Sequence, residues 1–414
     1  MRRRSLSLLA LFALAATVSF TGCECGTGLL APPLPPLSSV TVTPALDTLV
    51  VGQQRQFTAV AKDTLDVIVN GAAFGWSSSD VGVFTVNSRG LVTARGEGVA
   101  QLFVTAGGLT DTATVAAFVV PGWYAQVSNA SSDLNGVFFR PNGRDGWAVG
   151  DAGTVVHTDD AGASWNRRTS STFSNLNDVW FTTDVTGFAV GDNGTVMRTR
   201  NAGQSWTRLT QVPAAENLFG VCFADTSRGW VVGANGISLR TANGGTTWTK
   251  VYPTAQQLNA VSFSDSTNGW AVGEGGVITG THDGGRSWYI VQPAVTALPL
   301  RAVWRNSNTL AWAAGLQGAY PFTTATPDSL QWNLGALGAA NHISGLQMVD
   351  GSVGYAVGTN GTGLVLKTLT GGATWGPQLS NTAQPLNDVW FVDPLRGWAV
   401  GVAGRIIHTS KGGN

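Results

Sequence analysis

The chain has 414 residues, enough for more than one domain, with 24 basic and 24 acidic residues and a formal net charge of +0 at pH 7. Charged residues make up 12%, about half the share usual in soluble domains, and no basic stripe indicates a nucleic-acid partner. The three cysteines are too few for a fold that depends on a disulfide framework.

The first 22 residues predict a secretory signal, because arginines follow Met1 and a short apolar stretch covers residues 6–20. That stretch is too short for a spanning helix. The ending Phe20-Thr-Gly-Cys23 resembles a bacterial lipobox, which implies that Cys23 is lipidated and becomes the mature N-terminus. Ordinary secretion with cleavage nearby is the alternative. We expect an exported chain held in the cell envelope by a lipid anchor only, and Glu24, in place of a retention aspartate, favours the outer membrane or cell surface.

Residues 23–37 are rich in proline and glycine and predict a semi-rigid tether. Residues 38–120 show short alternating segments between turn signals, a pattern typical of a β-sandwich. Within them, Val51-Gly-Gln53, Trp76-Ser-Ser-Ser-Asp80 and Gly90-Leu-Val-Thr93 resemble the bacterial Ig-like domain of group 2. That resemblance implies a spacer domain or, as the alternative, an adhesin.

From residue 121 onward a unit of about 42 residues recurs seven times. Each unit carries versions of Leu-Asn-x-Val-x-Phe, Gly-Trp-Ala-Val-Gly, Gly-Thr-Val and a final tryptophan, which predict four short strands, A to D. The seventh unit stops before its tryptophan, but Trp123 stands 42 residues before Trp165, and the residues that follow the two tryptophans are similar. We therefore predict that residues 121–414 form a seven-bladed β-propeller, closed by the strand at Trp123, within an all-β chain. The glycine that ends strand B marks the seven units: Gly150, Gly191, Gly233, Gly273, Gly315, Gly358 and Gly401.

The turn between strands C and D carries an Asp box, Thr-x-Asp-x-Gly-x-Ser-Trp. An aspartate there can accept backbone N–H bonds, the glycine allows a positive φ, and the tryptophan fills the space between blades. Because asparagine replaces the aspartate in two units and Thr370 replaces it in another, we interpret the box as structural and not catalytic. The unit at 326–332 departs further and lacks the glycine. The predicted structural residues are Asp160, Gly162, Trp165, Asn201, Gly203, Trp206, Asn243, Gly245, Trp248, Asp283, Gly285, Trp288 and Trp375.

These units resemble the seven-bladed Asp-box (BNR repeat) propellers of the photosystem II stability and assembly factor family. The resemblance covers about 121–414 and implies a non-catalytic scaffold or assembly role. A photosynthetic role does not follow, because the predicted lipoprotein signal and Ig-like domain fit a general bacterial envelope protein.

Asp boxes also occur in sialidases, so a glycosidase or carbohydrate-binding propeller is the alternative. Its carboxylates would have to face one another across a cleft. Candidates for a binding face built by the B–C and D–A loops are Asp151, Asp192 and Glu274, with Asp178 and Asp388 at the mouth of strand A and Asn135 and Asn177 lining the channel. Ordinary turn and inter-blade hydrogen bonding is the competing interpretation, and no residue is assigned a catalytic role.

Two further sets of side chains are candidates for a site: one repeated basic position and the histidines. The position before the box threonine holds His157, Arg198, Arg240, Lys367 and His408, which we expect to be solvated on outer strands. The four histidines lack ligand spacing, so we expect no metal, and nothing indicates a cofactor.

The sequence therefore predicts a non-catalytic, monomeric envelope lipoprotein whose propeller binds an envelope protein or glycan through its loop face. The longest loops lie around 211–217, 292–299, 335–342 and 378–385.

Overall fold

A computed structural model describes residues 35–118, 122–305, 310–326 and 329–413. The predicted signal and most of the predicted tether lie outside these ranges, as does the boundary at residue 120. Regular structure in the described ranges is almost entirely β. No helix within them is long and apolar enough to cross a bilayer. The short 3-10 turns are Asp151–Gly153, Ala234–Gly236, Glu274–Gly276, Leu316–Gly318 and Val402–Gly404.

The N-terminal segment forms three small sheets around one apolar core. Their orders are β1-β4, β2-β9-β8-β5 and β3-β7-β6, and β2 runs parallel to β9. Phe57, Phe84, Val92 and Leu102 are fully buried in the shared core. Most of the short alternating segments of this region form strands, the Val51-Gly-Gln53 motif lies in a turn between two of them, and the assignment to the group 2 family stays a prediction. The strands are β1 (Leu37–Thr43), β2 (Leu46–Val50), β3 (Gln54–Gln56), β4 (Thr58–Asp63), β5 (Gly75–Ser78), β6 (Phe84–Val86), β7 (Leu91–Ala94), β8 (Gly98–Ala106) and β9 (Leu109–Phe118).

Beyond residue 122 the chain forms seven four-stranded antiparallel sheets. Blades one to four take their strands in chain order from the channel outwards, because each apolar A, B or C run is followed by a tight turn. The closing strand and these four blades are β10 (Tyr124–Gln126); β11 (Leu134–Phe139), β12 (Gly146–Gly150), β13 (Thr154–Thr158), β14 (Asn166–Arg167); β15 (Leu176–Phe181), β16 (Gly187–Gly191), β17 (Thr195–Thr199), β18 (Thr207–Arg208); β19 (Leu218–Phe223), β20 (Gly229–Gly233), β21 (Ser238–Thr241), β22 (Thr249–Val251); β23 (Leu258–Phe263), β24 (Gly269–Gly273), β25 (Ile278–Thr281) and β26 (Tyr289–Ile290).

Blade five is the irregular one, since its outer hairpin pairs over eight residues, whereas strand D has two or three in the other blades. Blades five to seven are β27 (Leu300–Arg305), β28 (Ala311–Gly315), β29 (Ala319–Thr326), β30 (Ser329–Ala336); β31 (His342–Met348), β32 (Gly354–Thr359), β33 (Gly363–Thr368), β34 (Gly376–Gln378); β35 (Leu386–Phe391), β36 (Gly397–Gly401) and β37 (Ile406–Thr409).

The ring closes as predicted. Strand β10 pairs antiparallel with β37 and completes blade seven, whose order is β10-β37-β36-β35. Tyr124 lies opposite His408, and its hydroxyl hydrogen-bonds to the His408 ring. Trp123 is fully buried in blade seven. The all-β fold with a closed seven-bladed propeller is therefore confirmed.

The glycine that ends strand B is required by a close backbone approach. A Cβ at Gly150 would lie 1.9 Å from the carbonyl oxygen of Asp133, just before strand A. The equivalent glycines meet the same obstacle in every blade, at 1.8–2.2 Å. Their φ is extended, so the constraint is space and not conformation.

Candidate functional site

A β-bulge opens strand A in every blade and turns one side chain into the central channel. The pairing with strand B shifts register at the second residue of strand A in six blades and at the third residue in blade six. Bulges of this kind re-aim a side chain at a sheet edge or a site. The seven bulged residues, Asn135, Asn177, Phe219, Asn259, Arg301, Ser344 and Asn387, line one channel of about 260 Å³.

The bulged asparagines tie neighbouring blades together at the channel mouth. The Asn135 amide donates to the Leu176 carbonyl of the next blade (3.1 Å) and to the Asp151 carboxylate after strand B (2.9 Å). The same two bonds recur for Asn177, to Leu218 (2.8 Å) and Asp192 (3.2 Å), and for Asn259, to Leu300 (2.7 Å) and Glu274 (3.2 Å). The structure thus brings the predicted mouth residues together, with the acids as acceptors for the asparagines.

Arg301 takes the asparagine's place in blade five. Its guanidinium pairs with Glu274 at 2.9 Å, and both side chains are about one-third exposed. The mouth therefore combines amides with three carboxylates and one arginine, so acidic groups outnumber basic ones among these residues.

Asp178 and Asp388 lie deeper than predicted, in the channel wall one residue beyond the bulge. Asp178 accepts the N–H groups of Val179 (2.7 Å) and of Val221 in the next blade (2.8 Å). Asp388 accepts those of Val389 (2.8 Å) and Val137 (2.9 Å) in the same way. Each carboxylate therefore links two blades.

Burial governs the ionisation of both aspartates. It raises the pKa of Asp388 to about 7, against the hydrogen bonds from the two backbone N–H groups. Burial, followed by the charge of Asp388, raises the pKa of Asp178 well above its usual range. A raised carboxyl pKa is also found in general acids, but here both oxygens of each group are occupied by the ring's own backbone.

Aromatic rings fill the channel at the other end of strand A, and sequence reasoning missed them as a group. Trp390 lies 4.6 Å from Phe138, 5.5 Å from Trp180 and 6.1 Å from Trp304 between ring centroids. The four come from blades one, two, five and seven, so they meet across the channel. All four occupy the fifth position of strand A. Side chains alternate between the two faces of a strand, so the fifth position lies on the same face as the third, which holds the two aspartates. This alternation is the sequence signal that could have placed the aromatic residues in the channel.

The Asp boxes lie at the ends of the blades away from the mouth, and their polar atoms bond within the turn. Asp160 accepts the Ser164 N–H (2.9 Å) and hydroxyl (2.7 Å). Asn201 and Asn243 accept the matching N–H groups at 3.1 and 2.9 Å. Burial of the Asp283 carboxyl acts to raise its pKa. Hydrogen bonds from Ser287, Thr281 and Arg286 outweigh that effect and lower the pKa to about 2.

Each box also forms a joint with the preceding blade. Trp147 of strand B in blade one stacks on Phe181 of blade two, with centroids 3.7 Å apart, and its indole N–H donates to the Ala202 carbonyl in that blade's box (3.1 Å). Trp206 packs edge-on against Phe181. Box glycines leave room for this: a Cβ at Gly203 would lie 2.3 Å from the Trp147 indole nitrogen, and Gly245 and Gly285 meet Phe188 and Trp230 similarly.

The remaining predicted box residues follow the same plan. Gly162 has φ +84, and a Cβ there would meet the Gln126 amide. Trp165 and Trp248 are buried, whereas Trp288 and Trp375 are partly exposed. Part of the irregular turn of blade five, residues 327–328, lies outside the described residues, as does Cys23.

We expected the side chains at the position before the box threonine to be solvated, and this prediction was wrong for the two histidines. His157 and His408 are 8% and 6% exposed; His408 stacks on Trp398 of strand B, and His157 packs at a tilt against Trp147. Burial, then the charge of Arg396, lowers the pKa of His408 to about 3. Across the described ranges, no three His, Cys, Asp or Glu side chains are grouped to hold a metal ion.

These features define the class of protein: a closed, seven-bladed Asp-box propeller with a polar channel mouth and an aromatic interior. The family model "Photosynthesis system II assembly factor YCF48" matches residues 120–200 and 199–300, which hold the closing strand and blades one to four. The predicted resemblance to that assembly-factor family is thereby confirmed over residues 120–300. A search of curated protein sequences gives no match.

Solved structures agree on the fold. YCF48 bound to D1 peptide is 21% identical with a TM-score of 0.60, over 71% of this chain and 98% of that chain. YCF48 from Cyanidioschyzon merolae is 20% identical with a TM-score of 0.58, over 70% and 98%. Virginiamycin B lyase from Staphylococcus aureus, at 10% identity, reaches a TM-score of 0.57 over 70% and 99%. At these identities the likeness establishes the fold, which both binding proteins and an enzyme use.

Proposed function

We propose that the propeller is a non-catalytic scaffold that binds a polypeptide partner through the face around the channel mouth. The observation that carries this proposal is a set of exposed apolar side chains on three successive D–A loops. Leu379, Val127 and Phe173 are 74%, 78% and 93% exposed, and they precede blades seven, one and two. Large exposed apolar residues rimmed by polar ones favour a protein partner.

Two further points support a scaffold. The carboxylates that a glycosidase would need already accept hydrogen bonds from asparagine amides or backbone N–H groups, which favours a structural role for them. Among proteins of the same fold, a YCF48 structure is described as bound to D1 peptide. A polypeptide ligand is therefore our first expectation for this chain as well, without a photosynthetic role.

The test uses residues 38–414 as bait in envelope extract, with both protein and carbohydrate analysed in the retained fraction. Phe173→Asp places a charge on the proposed face, and Leu395→Asp, at a 53% exposed position in an A–B turn on the opposite face, is the matched control. We expect one protein to be retained near stoichiometric amount and lost with Phe173→Asp only. Retention of glycan alone, or its shortening, would contradict the proposal and favour the carbohydrate alternative.

We also propose that the chain is exported and held in the envelope by lipid on Cys23, on the strength of the N-terminal sequence. Expression of the full chain and of Cys23→Ser should give membrane-bound and soluble material respectively. Mass spectrometry of the mature N-terminus provides the direct measurement, and an unmodified terminus would rule out lipidation.

A further inference from the structure

The joint between blades five and six contains a pocket of about 580 Å³. At five other joints an aromatic residue of strand B stacks on a phenylalanine of the next strand A, as Trp230 does on Phe263 at 3.5 Å. In blade six Met348 occupies that phenylalanine position, and blade five has its long outer hairpin instead of a regular box turn. The pocket therefore lies at the joint where Met348 replaces the stacked phenylalanine, between the long hairpin of blade five and the box turn of blade six.

The pocket walls are uncharged and mostly apolar. They include Tyr320, Phe322, Leu337, Leu364, Leu366 and Trp375, and none of the lining residues is an acid, lysine, arginine or histidine. Pockets of a few hundred cubic ångströms with aromatic walls and few polar groups are typical ligand sites. Charge complementarity therefore points to an uncharged, apolar group as the occupant.

One hydroxyl in the wall, that of Tyr320, lacks an acceptor for its proton within the described ranges. Tyr320 is 2% exposed, and its hydroxyl has no hydrogen-bond acceptor among the described residues. The neighbouring Trp375 indole N–H can only donate and already faces the Gly372 carbonyl at 3.2 Å. Burial raises the pKa of Tyr320, so the hydroxyl keeps its proton and remains a donor. A buried donor without an acceptor is costly and indicates a missing partner.

The edge of blade five supplies backbone groups beside the pocket. Strand β30 has eight residues and, among the strands of the described ranges, pairs with β29 alone, so its other edge is open to them. Its last two residues, Gly335 and Ala336, line the pocket. Gly335 lies opposite Tyr320 and therefore on the same face, and its missing side chain lets the ring of Tyr320 approach β30, since a Cβ at Gly335 would lie 3.0 Å from that ring.

We propose that the open edge of β30 and this pocket together bind an extended peptide segment. The segment adds to the sheet as a further strand, inserts one large uncharged apolar side chain between blades five and six, and accepts a hydrogen bond from the Tyr320 hydroxyl. Strand addition of this kind gains affinity from the backbone and specificity from alternate side-chain pockets. The inference rests on the proposed function in taking a polypeptide as the ligand, but it concerns a separate site from the mouth-face loops.

The experiment screens the full chain with a phage-displayed library of seven-residue peptides and measures selected synthetic peptides by calorimetry. Ala373→Trp should fill the pocket from its exposed rim. Thr246→Trp, at the same box position in blade three, is the matched control. We expect at least tenfold weaker binding with Ala373→Trp, about tenfold with Tyr320→Phe, and no change with Thr246→Trp.

Two readouts separate strand addition from a merely structural effect. Peptide binding should slow hydrogen exchange in β30, and N-methylation of alternate peptide nitrogens should abolish binding. The inference is overturned if no peptide is selected, if selected peptides bind Ala373→Trp as well as the parent, or if β30 exchange is unchanged. Phe173→Asp should leave peptide binding intact, so failure of the scaffold proposal and failure of this one give different results.

Discussion

Replacement of Trp123 by alanine tests the closure of the ring most directly. The indole is fully buried, packs edge-on against Phe391 at 5.6 Å and Tyr355 at 6.3 Å, and donates to the Gln378 side chain at 3.1 Å. Loss of such a side chain from a core costs about 3–5 kcal/mol. Losing the hydrogen bond to Gln378 places Trp123→Ala toward the upper end of that range.

The matched control is Trp206→Ala in blade two. That indole is 2% exposed and packs edge-on against Phe181 at 5.8 Å, as Trp123 does against Phe391, and it lies away from the closing strand. Both variants should therefore lose a comparable free energy of unfolding. They should differ in position, because strand D of blade two continues directly from its blade, whereas β10 reaches blade seven from the other end of the propeller.

The assay is equilibrium denaturation combined with native-state hydrogen exchange. We expect Trp123→Ala to accelerate exchange selectively in β10 and β37, and Trp206→Ala to do so in blade two. A loss below about 1 kcal/mol for Trp123→Ala, or unchanged exchange in β37, would refute the closure argument. Deletion of residues 121–130 should lower the melting temperature further still.

Three other changes test the remaining physical claims. Asp283→Asn should change stability by less than about 1 kcal/mol, because asparagine serves in two other boxes, whereas a thermal scan showing a large loss would revive a special role for the acid. The His408 side chain is neutral in the folded state, and its pKa is higher in the unfolded state. The free energy of unfolding should therefore fall as pH drops from about 6.5 towards 3, by about 2 kcal/mol at pH 5. His408→Gln should remove this pH-dependent loss when the denaturation curves of the two proteins are compared. Burial raises the pKa of Asp388 to about 7, so its contribution is greatest at low pH and lost as pH rises through 7. The free-energy difference between wild type and Asp388→Asn should therefore shift by up to about 1.4 kcal/mol per pH unit between pH 4 and 7, and a flat difference would show that the carboxyl pKa is not raised.

Much of the propeller could be predicted because each unit repeats the same physical requirements. The strand B glycine is needed wherever the backbone approaches strand A, so it marks all seven blades. The sequence around Trp123 predicted the closing strand because it repeats the sequence of strand D in blade one. Neither inference required knowledge of distant contacts.

The site was less predictable because it depends on contacts between blades. The asparagine at the bulge was recognised as a channel residue, but its bond to a carbonyl about 41 positions later follows from ring geometry. Asp178 and Asp388 could not be separated from solvated turn residues without knowing that their neighbours are backbone N–H groups. The histidines were misplaced because an outer position in the sequence pattern still faces a tryptophan across the sheet.

The pairing of β10 with β37, which closes the ring, also determines how the molecule responds to tension. Strand β10 is the first propeller element after the N-terminal domain, and it is held to β37 across three residue pairs. A pull applied through the N-terminal domain therefore loads this short pairing before any other blade. The buried Trp123 then acts as the main resistance to peeling, so the force that the propeller tolerates is set by one blade and not by the stability of the other six.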